Sequence, residues 1–513
     1  METKKNLQWG IILSYITMFA GLFVSMTYTP FLLRALGTQQ YGLYNMGQAA
    51  VSYLGLTEFG LGNAIVRYSS KYRALGDEKK TASMYGMFMY MYAILAGIIV
   101  ILGSVVCIGS EHFFKVTTGA VGYRQLKIII AIMVVSLAIS FLLQPYNAII
   151  NSFEKFSFLK ITNLIYTVLK PLVMIPLLIW GYKAVALSFI TMILTIGLHL
   201  SDVVYIKFVL KVRVDYNFKN MDWKILKEII GYSGFIFLGS IVAQLNNNAD
   251  SIILGKIKGE AAVAVYAIGY QLHTYIRQFP QTISGVFFPR VTVRLTQGAS
   301  MEEMTDLAIK VGRIQFFLSS LLISGFWIFG KEFLYLWAGK GYENAYYIIL
   351  ALVVSSMIPD VQSIFVLVIQ AINRHQYRAG LYVICAVLNV MLSIPAAIYY
   401  GPIGCAVCTG ITTLLTAGIM INIYYWKNIG LNIPRFWKII LNVAKFILPT
   451  SIIGFIINSW FETNNWGILI LKIGMYTSAY LFVIYFMCTN KEEKGFILQI
   501  INRKNTRGKN EDI

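Results

Sequence analysis

Leu33–Gln48, LRALGTQQYGLYNMGQ, and Gly255–Gln271, GKIKGEAAVAVYAIGYQ, carry one pattern twice. With Gly37 placed on Gly259, an offset of 222 residues, Arg34 meets Lys256, Tyr44 meets Tyr266 and Gly47 meets Gly269. The same offset sets Asn151 on Asn373. Further along, KPLVMIPLLIWGYKAVA and NVMLSIPAAIYYGPIGCAV match Pro176 with Pro395 and Gly181 with Gly401, at offsets of 219 and 220. Landmarks that keep both order and spacing describe an internal duplication of about 220 residues, a period that decides architecture before any single motif does.

The duplicated unit is built of membrane-spanning helices. Of 513 residues 57% are hydrophobic and 13% charged, against roughly 25% charged in ordinary soluble domains, and the mean hydropathy is +0.66. Apolar runs long enough for a helix to cross ~30 Å of hydrocarbon are expected at 9–33, 43–66, 83–108, 127–150, 161–180, 184–206, 231–254, 261–287, 312–330, 346–370, 379–399, 402–425, 439–459 and 467–488. The first is too long for a signal-peptide core, and no ~10-residue alternating segments suggest a membrane β-barrel. The expected fold is thus an all-α integral membrane protein of about fourteen transmembrane helices. Residues 1–210 form one six-helix lobe and 231–426 the other, joined by a basic linker at 211–230, with two additional helices in 427–488 and a basic tail at 489–513. Six is even, so both copies enter the membrane in the same direction, which implies two pseudo-symmetric lobes around a central cavity.

The net charge of +20 follows the membrane rather than a nucleic acid. Of the 43 Lys and Arg residues, 31 fall in alternate segments on the side of the N-terminus, nine in the opposite loops, and three, Lys170, Arg277 and Lys472, deep in spans. This asymmetry places both termini in the cytoplasm. Cations spread over eight segments beside bilayer ends, without a reader motif, argue against nucleic acid and for anionic membrane lipids. Cys405 and Cys408 make a CxxC inside a small-residue apolar run without His or acidic neighbours, which reads as packing. No phosphate-binding GxxxxGK[ST] loop occurs, so no cofactor and no hydrolysis of ATP are expected. A glycan polymerase or ligase would need a catalytic constellation in a large outer loop; here the outer loops are short, with His112 their only histidine. The chain reads as a transporter, not an enzyme.

LLRALGTQQYGLYNMGQAAVSYLGLTEFGLGNAIVRYSSKYRALGD, ADSIILGKIKGEAAVAVYAIGYQL and the YYGPIGCAV turn resemble the Wzx-type polysaccharide flippases of the multidrug/oligosaccharidyl-lipid/polysaccharide exporter superfamily. The likeness extends over essentially the whole chain. It implies two six-helix lobes plus two helices in a bacterial cytoplasmic membrane. It also implies alternating-access movement of undecaprenyl-diphosphate-linked oligosaccharide from the inner to the outer leaflet, in O-antigen, capsule, exopolysaccharide or teichuronic acid synthesis, alongside glycan polymerase machinery. A lipid II flippase or a cation-coupled multidrug exporter of the same superfamily is the alternative.

Polar residues within the spans are the candidate sites. In GSIVAQLNNNADSIILG, Gly239–Gly255, Gln244, Asn247 and Asp250 share one helix face, and such a face in hydrocarbon must look at protein or water. His273, Arg277 and Gln281 follow one another by turns of the next span. Arg277 suits a diphosphate, because its fork of donors matches phosphate oxygens. Lys170, directly before Pro171, is expected beside irregular backbone in the cavity of the first lobe. These residues, Arg277, Lys170, His273, Gln244, Asn247 and Asp250, are the expected substrate-binding set. Asp250, Glu58 and Asp360 are candidates for coupling to a proton or cation, although Asp360 could instead cap the half-helix that restarts after Pro359. Lys472, five residues into the last span, is expected to snorkel.

Overall fold

In hydrocarbon a backbone must satisfy its own hydrogen bonds, and among the described residues every apolar run is helical and no strand occurs. The computed structural model describes residues 2–217, 223–374, 376–463, 465–489 and 494; most of the basic tail, and 218–222 of the linker, lie outside them. In chain order the helices are α1 (Glu2–Ser52), α2 (Leu61–Ala74), α3 (Glu78–Phe113), α4 (Gly119–Ser152), α5 (Phe156–Ile179), α6 (Ala184–Val204), α7 (Trp223–Ile257), α8 (Glu260–Thr296), α9 (Met301–Trp337), α10 (Ala345–Val361), α11 (Ser363–Ala371), α12 (Gln376–Thr413), α13 (Ile421–Tyr424), α14 (Ile433–Ala444), α15 (Ile447–Trp460) and α16 (Trp466–Val483).

Nine described helical stretches are long and apolar enough to cross a membrane, or ten if α10 and α11, bent by 47°, count as one. Two of these stretches, 16–74 and 376–429, each cover two expected spans. Among the described residues, helix length and hydropathy thus support at least nine spanning stretches, and fourteen stays the count of the sequence pattern.

The chain divides into two compact units: residues 1–268 with 382–408, and residues 269–381 with 409–513. In the first, α4 packs on α3 and α6, and α5 on α1. In the second, α9 is the central helix, with α10, α11, α14, α15 and α16 against it.

The duplication is visible in the backbone. Left-handed glycines recur as Gly37 and Gly259, Gly76 and Gly298, Gly119 and Gly341, each pair 222 apart. It is visible in packing too. A Cβ at Gly47 would stand 2.7 Å from the Ile129 side chain within the first unit, and one at Gly269 would stand 2.5 Å from Ile348 within the second. Each glycine lets its helix approach a neighbour more closely than a side chain would allow.

Two local features differ from the sequence pattern. The expected span 43–66 is broken: after α1 comes a 3₁₀ turn, Leu54–Glu58, then Phe59 and Gly60 in left-handed conformations before α2. The expected span 439–459 is two helices. α14 buries Ile433, Phe436, Ile440 and Val443 and exposes Arg435 and Lys438, and it is separated from α15 near Lys445. The last helix, α16, is tied to α9 by Ser320–Tyr480 (2.6 Å) and Ser324–Tyr476 (2.5 Å) hydroxyl pairs.

Candidate functional site

The polar residues of α8 and α10 form one constellation within the second unit. Arg277 clasps Asp360: Nη2 donates to Oδ1 at 2.8 Å and Nε to Oδ2 at 3.0 Å. Gln281 donates to the same Oδ1 at 3.4 Å. One turn before Arg277, His273 Nε2 meets Ser356 Oγ at 2.8 Å, while its Nδ1 is buried without a hydrogen-bond partner. Pairing Arg with Asp in a bidentate geometry is how a guanidinium is kept in hydrocarbon without an uncompensated charge. The pair is nonetheless asymmetric: the Asp360 side chain is 6% exposed and that of Arg277 31%. Arg277 thus keeps about a third of its side chain accessible while the carboxylate it clasps is covered. Asp360 does not cap the restarting half-helix, because α11 begins after Gln362 with no side-chain cap and the carboxylate is turned to Arg277 and Gln281.

In the first unit the α7 stripe separates into two kinds of residue. Asp250 is 4% exposed and accepts a 2.5 Å hydrogen bond from Tyr266 Oη. Asn247 is exposed. Gln244 Nε2 and Asn246 Nδ2 are buried without a hydrogen-bond partner, an arrangement costly enough to need water or a ligand to complete it. Lys170 is half-buried and makes no ion pair among the described residues; α5 runs through Pro171 and Pro176 as one helix, so the irregular backbone expected beside it does not occur. Cys405 and Cys408 donate weakly to the backbone carbonyls of Ser393 and Leu392.

Lys472 corrects its expectation. It is fully buried, bonded to Thr463 Oγ1 at 2.6 Å and Asn458 Oδ1 at 2.9 Å, and ion-paired with Glu332 at 3.4 Å. Partners on α9 and α15 make snorkelling unnecessary.

Residues outside the expected substrate-binding set also carry polar chemistry. Glu260, 0% exposed, accepts from the Thr117 backbone N–H at 2.9 Å and from its hydroxyl at 2.6 Å. Asp202, 1% exposed, accepts from Asn147 Nδ2 at 3.0 Å, with His199 Nδ1 at 3.8 Å. Glu58, with Gln144, Asn147 and Asn151, lines a cavity of about 340 Å³. The sequence held a signal for the last three: 144, 147 and 151 repeat the i, i+3, i+7 spacing of 244, 247 and 251.

The model of the family described as "Polysaccharide biosynthesis protein" matches residues 5–293, more than half of the chain. The chain belongs to the polysaccharide biosynthesis protein family. Among its family relatives, the "Putative O-antigen transporter" of Shigella flexneri is 22% identical over 394 residues, covering 75% of this chain and 90% of that protein. The "Uncharacterized membrane protein EpsK" of Bacillus subtilis is 22% identical over 500 residues, 93% and 95% of the two chains. In fold, this family member is similar to the solved lipid II flippase MurJ in an inward closed conformation, with a TM-score of 0.71 at 16% identity over 93% of this chain and 98% of that one. It is also similar to an inward-facing multidrug resistance MATE transporter, with a TM-score of 0.62 at 16% identity over 82% and 99%. At such identity these two likenesses concern the fold alone.

Proposed function

We propose that this protein is a flippase that carries a lipid-linked oligosaccharide across the membrane in surface polysaccharide synthesis. Family membership supports the class, and the "Probable low-salt glycan biosynthesis flippase Agl15" of Haloferax volcanii, 22% identical over 39% of this chain, lies in the same direction. The observation that carries the site is Arg277: a guanidinium in a membrane helix, bidentate on a buried Asp360, with 31% of its own side chain accessible.

The cargo is an undecaprenyl-diphosphate-linked glycan moved from the inner to the outer leaflet of a bacterial cytoplasmic membrane, with both termini cytoplasmic and glycan polymerase machinery receiving the product. Lobes at 1–210 and 231–426 alternate access to a cavity whose walls include Arg277, Lys170, His273, Gln244, Asn247 and Asp250. Phosphate oxygens compete with Asp360 for the Arg277 fork, since each group offers a pair of oxygens that accept from the same two donors. When the diphosphate takes the guanidinium, Asp360 loses its counter-ion, and a proton or cation restores neutrality. Asp250 and Glu58 are further carboxylates able to hold such an ion. The basic segments beside the spans meet anionic lipid headgroups.

Deleting the gene and identifying the accumulated lipid-linked glycan tests the reading. Accumulation on the inner leaflet, with loss of one surface polysaccharide, is expected. Drug sensitivity with unchanged surface glycan would replace it with the multidrug exporter, and arrest of peptidoglycan synthesis with the lipid II flippase.

A further inference from the structure

The cavity beside Glu58 lies wholly within the first unit, on α2, α4, α7 and the break between α1 and α2, and Arg277, Asp360 and Lys170 are not among its lining residues. We propose that it is a saccharide subsite, which holds one neutral pyranose ring of the cargo while the diphosphate is gripped elsewhere. The proposal rests on the flippase reading and goes beyond it by assigning a sugar-binding place and its residues.

Four observations support it. First, its lining chemistry is that of hydroxyl recognition: the Glu58 carboxylate, the amides of Asn63, Gln144, Asn147 and Asn151, and the Ser240 hydroxyl. Amides both donate and accept, as a sugar hydroxyl does. Among the described residues no Lys or Arg lines the cavity, so there a phosphate would meet a carboxylate without a cation to offset it. Second, its size of about 340 Å³ lies at the small end of ligand pockets and far exceeds what a desolvated ion coordinated at ~2.0–2.6 Å would fill.

Third, its polar groups are positioned by partners outside the cavity. Tyr92 Oη donates to Glu58 Oε1 at 3.0 Å, and a Cβ on Gly62 would fall 2.9 Å from that same oxygen. Asn147 Nδ2 is taken by buried Asp202 at 3.0 Å, which fixes the amide and leaves its carbonyl oxygen as the acceptor. Fourth, the rim contains strain. Phe59, a non-glycine residue, sits at φ 52° and its side chain is 37% exposed. Such backbone costs of order 1–3 kcal/mol and persists where surroundings demand it. Phe59 is itself a lining residue of the cavity, and an aromatic residue among amides and a carboxylate is the composition that suits a pyranose, which has a C–H face as well as hydroxyls. At the repeat offset of 222, Arg277 falls on Gly55 of this cavity wall. The duplicated halves thus put a cation and a carboxylate-amide lining at related places, which suits a cargo with an anionic and a neutral part.

The test uses the full chain in lipid nanodiscs and, as probes, the methyl glycosides of glucose, galactose, mannose, N-acetylglucosamine and N-acetylgalactosamine, each at about 10 mM to suit weak binding. Saturation-transfer NMR should show transfer to at least one glycoside. It should fall at least about fivefold in Glu58→Gln and in Asn151→Ala, substitutions that remove a charge or an amide hydrogen bond with little change of packing. Melting temperature checks that both variants fold, and Asn63→Ala, at an exposed position, is the third variant should either fail. No transfer to any glycoside, or equal transfer in wild type and variants, overturns the subsite. Neither result touches the flippase reading, which stands or falls on the glycan accumulated by the deletion strain.

Discussion

Arg277 and Lys472 are both cations inside membrane helices, and their surroundings assign them opposite roles. Lys472 is closed off by Glu332, Asn458 and Thr463 with 0% exposure, so it has no donor to offer a cargo. Lys472→Met should destabilise the protein by about 1–3 kcal/mol by leaving Glu332 without its counter-charge. Lys472→Met with Glu332→Gln should recover most of that loss, as read by thermal unfolding in detergent. Arg277 keeps 31% of its side chain accessible. Arg277→Ala should abolish glycan export with protein level and insertion intact, and Arg277→Lys should restore little of it, since an ammonium cannot reproduce the bidentate fork. Normal surface glycan in either variant would refute the assigned role. From the sequence, both residues were legible as buried cations. Which one is closed off depends on α9 and α15, whose contacts with Lys472 no local pattern reveals.

At the scale of elements, the helices follow from apolar periodicity and the breaks from backbone chemistry. Gly37 and Gly401 interrupt their helices with positive φ, at landmarks the duplication had already aligned. The break at Phe59 had no such signal, because a bulky residue in the left-handed region is held there by tertiary surroundings rather than by preference. Gly47 and Gly269 mark equivalent close approaches, so Gly47→Val and Gly269→Val should each cost about 1–3 kcal/mol by overpacking. Ile129→Ala and Ile348→Ala respectively should relieve part of that cost in thermal melts. At the start of α3, the Lys80 backbone N–H donates to Asp77 at 3.0 Å and, with the Lys80 ammonium, holds its carboxyl below the usual carboxylate range. A depressed pKa means the cap is present above the unfolded value and lost as pH falls through the folded one. Protection of the amides in the first turn of α3, taken relative to the intrinsic exchange rate at each pH, should accordingly fall below about pH 4.

At the scale of the whole molecule, transport requires a wet path, and α7 offers a direct probe of it. In a Cys-free background, Asn247→Cys should react with a small polar thiol reagent, whereas Asp250→Cys, at a 4% exposed position beside Tyr266, should react at least about tenfold more slowly. An unreactive Asn247→Cys would place that face against lipid and remove it from the cavity wall. The sequence by itself determined that the chain is a duplicated array of apolar helices, which side its cations favour, and which family it joins. Hydropathy, charge asymmetry and spacing are one-dimensional quantities, and each is written residue by residue. Only the tertiary structure decided which buried polar groups are neutralised and which are presented. Asp360 turns to Arg277, Asp250 to Tyr266, and Glu58 with the amides of α4 to an open cavity. Those choices depend on contacts between residues such as Glu58 and Tyr92, or Arg277 and Asp360, that are dozens of positions apart, and in a medium without water each such contact decides whether a polar group is satisfied or available.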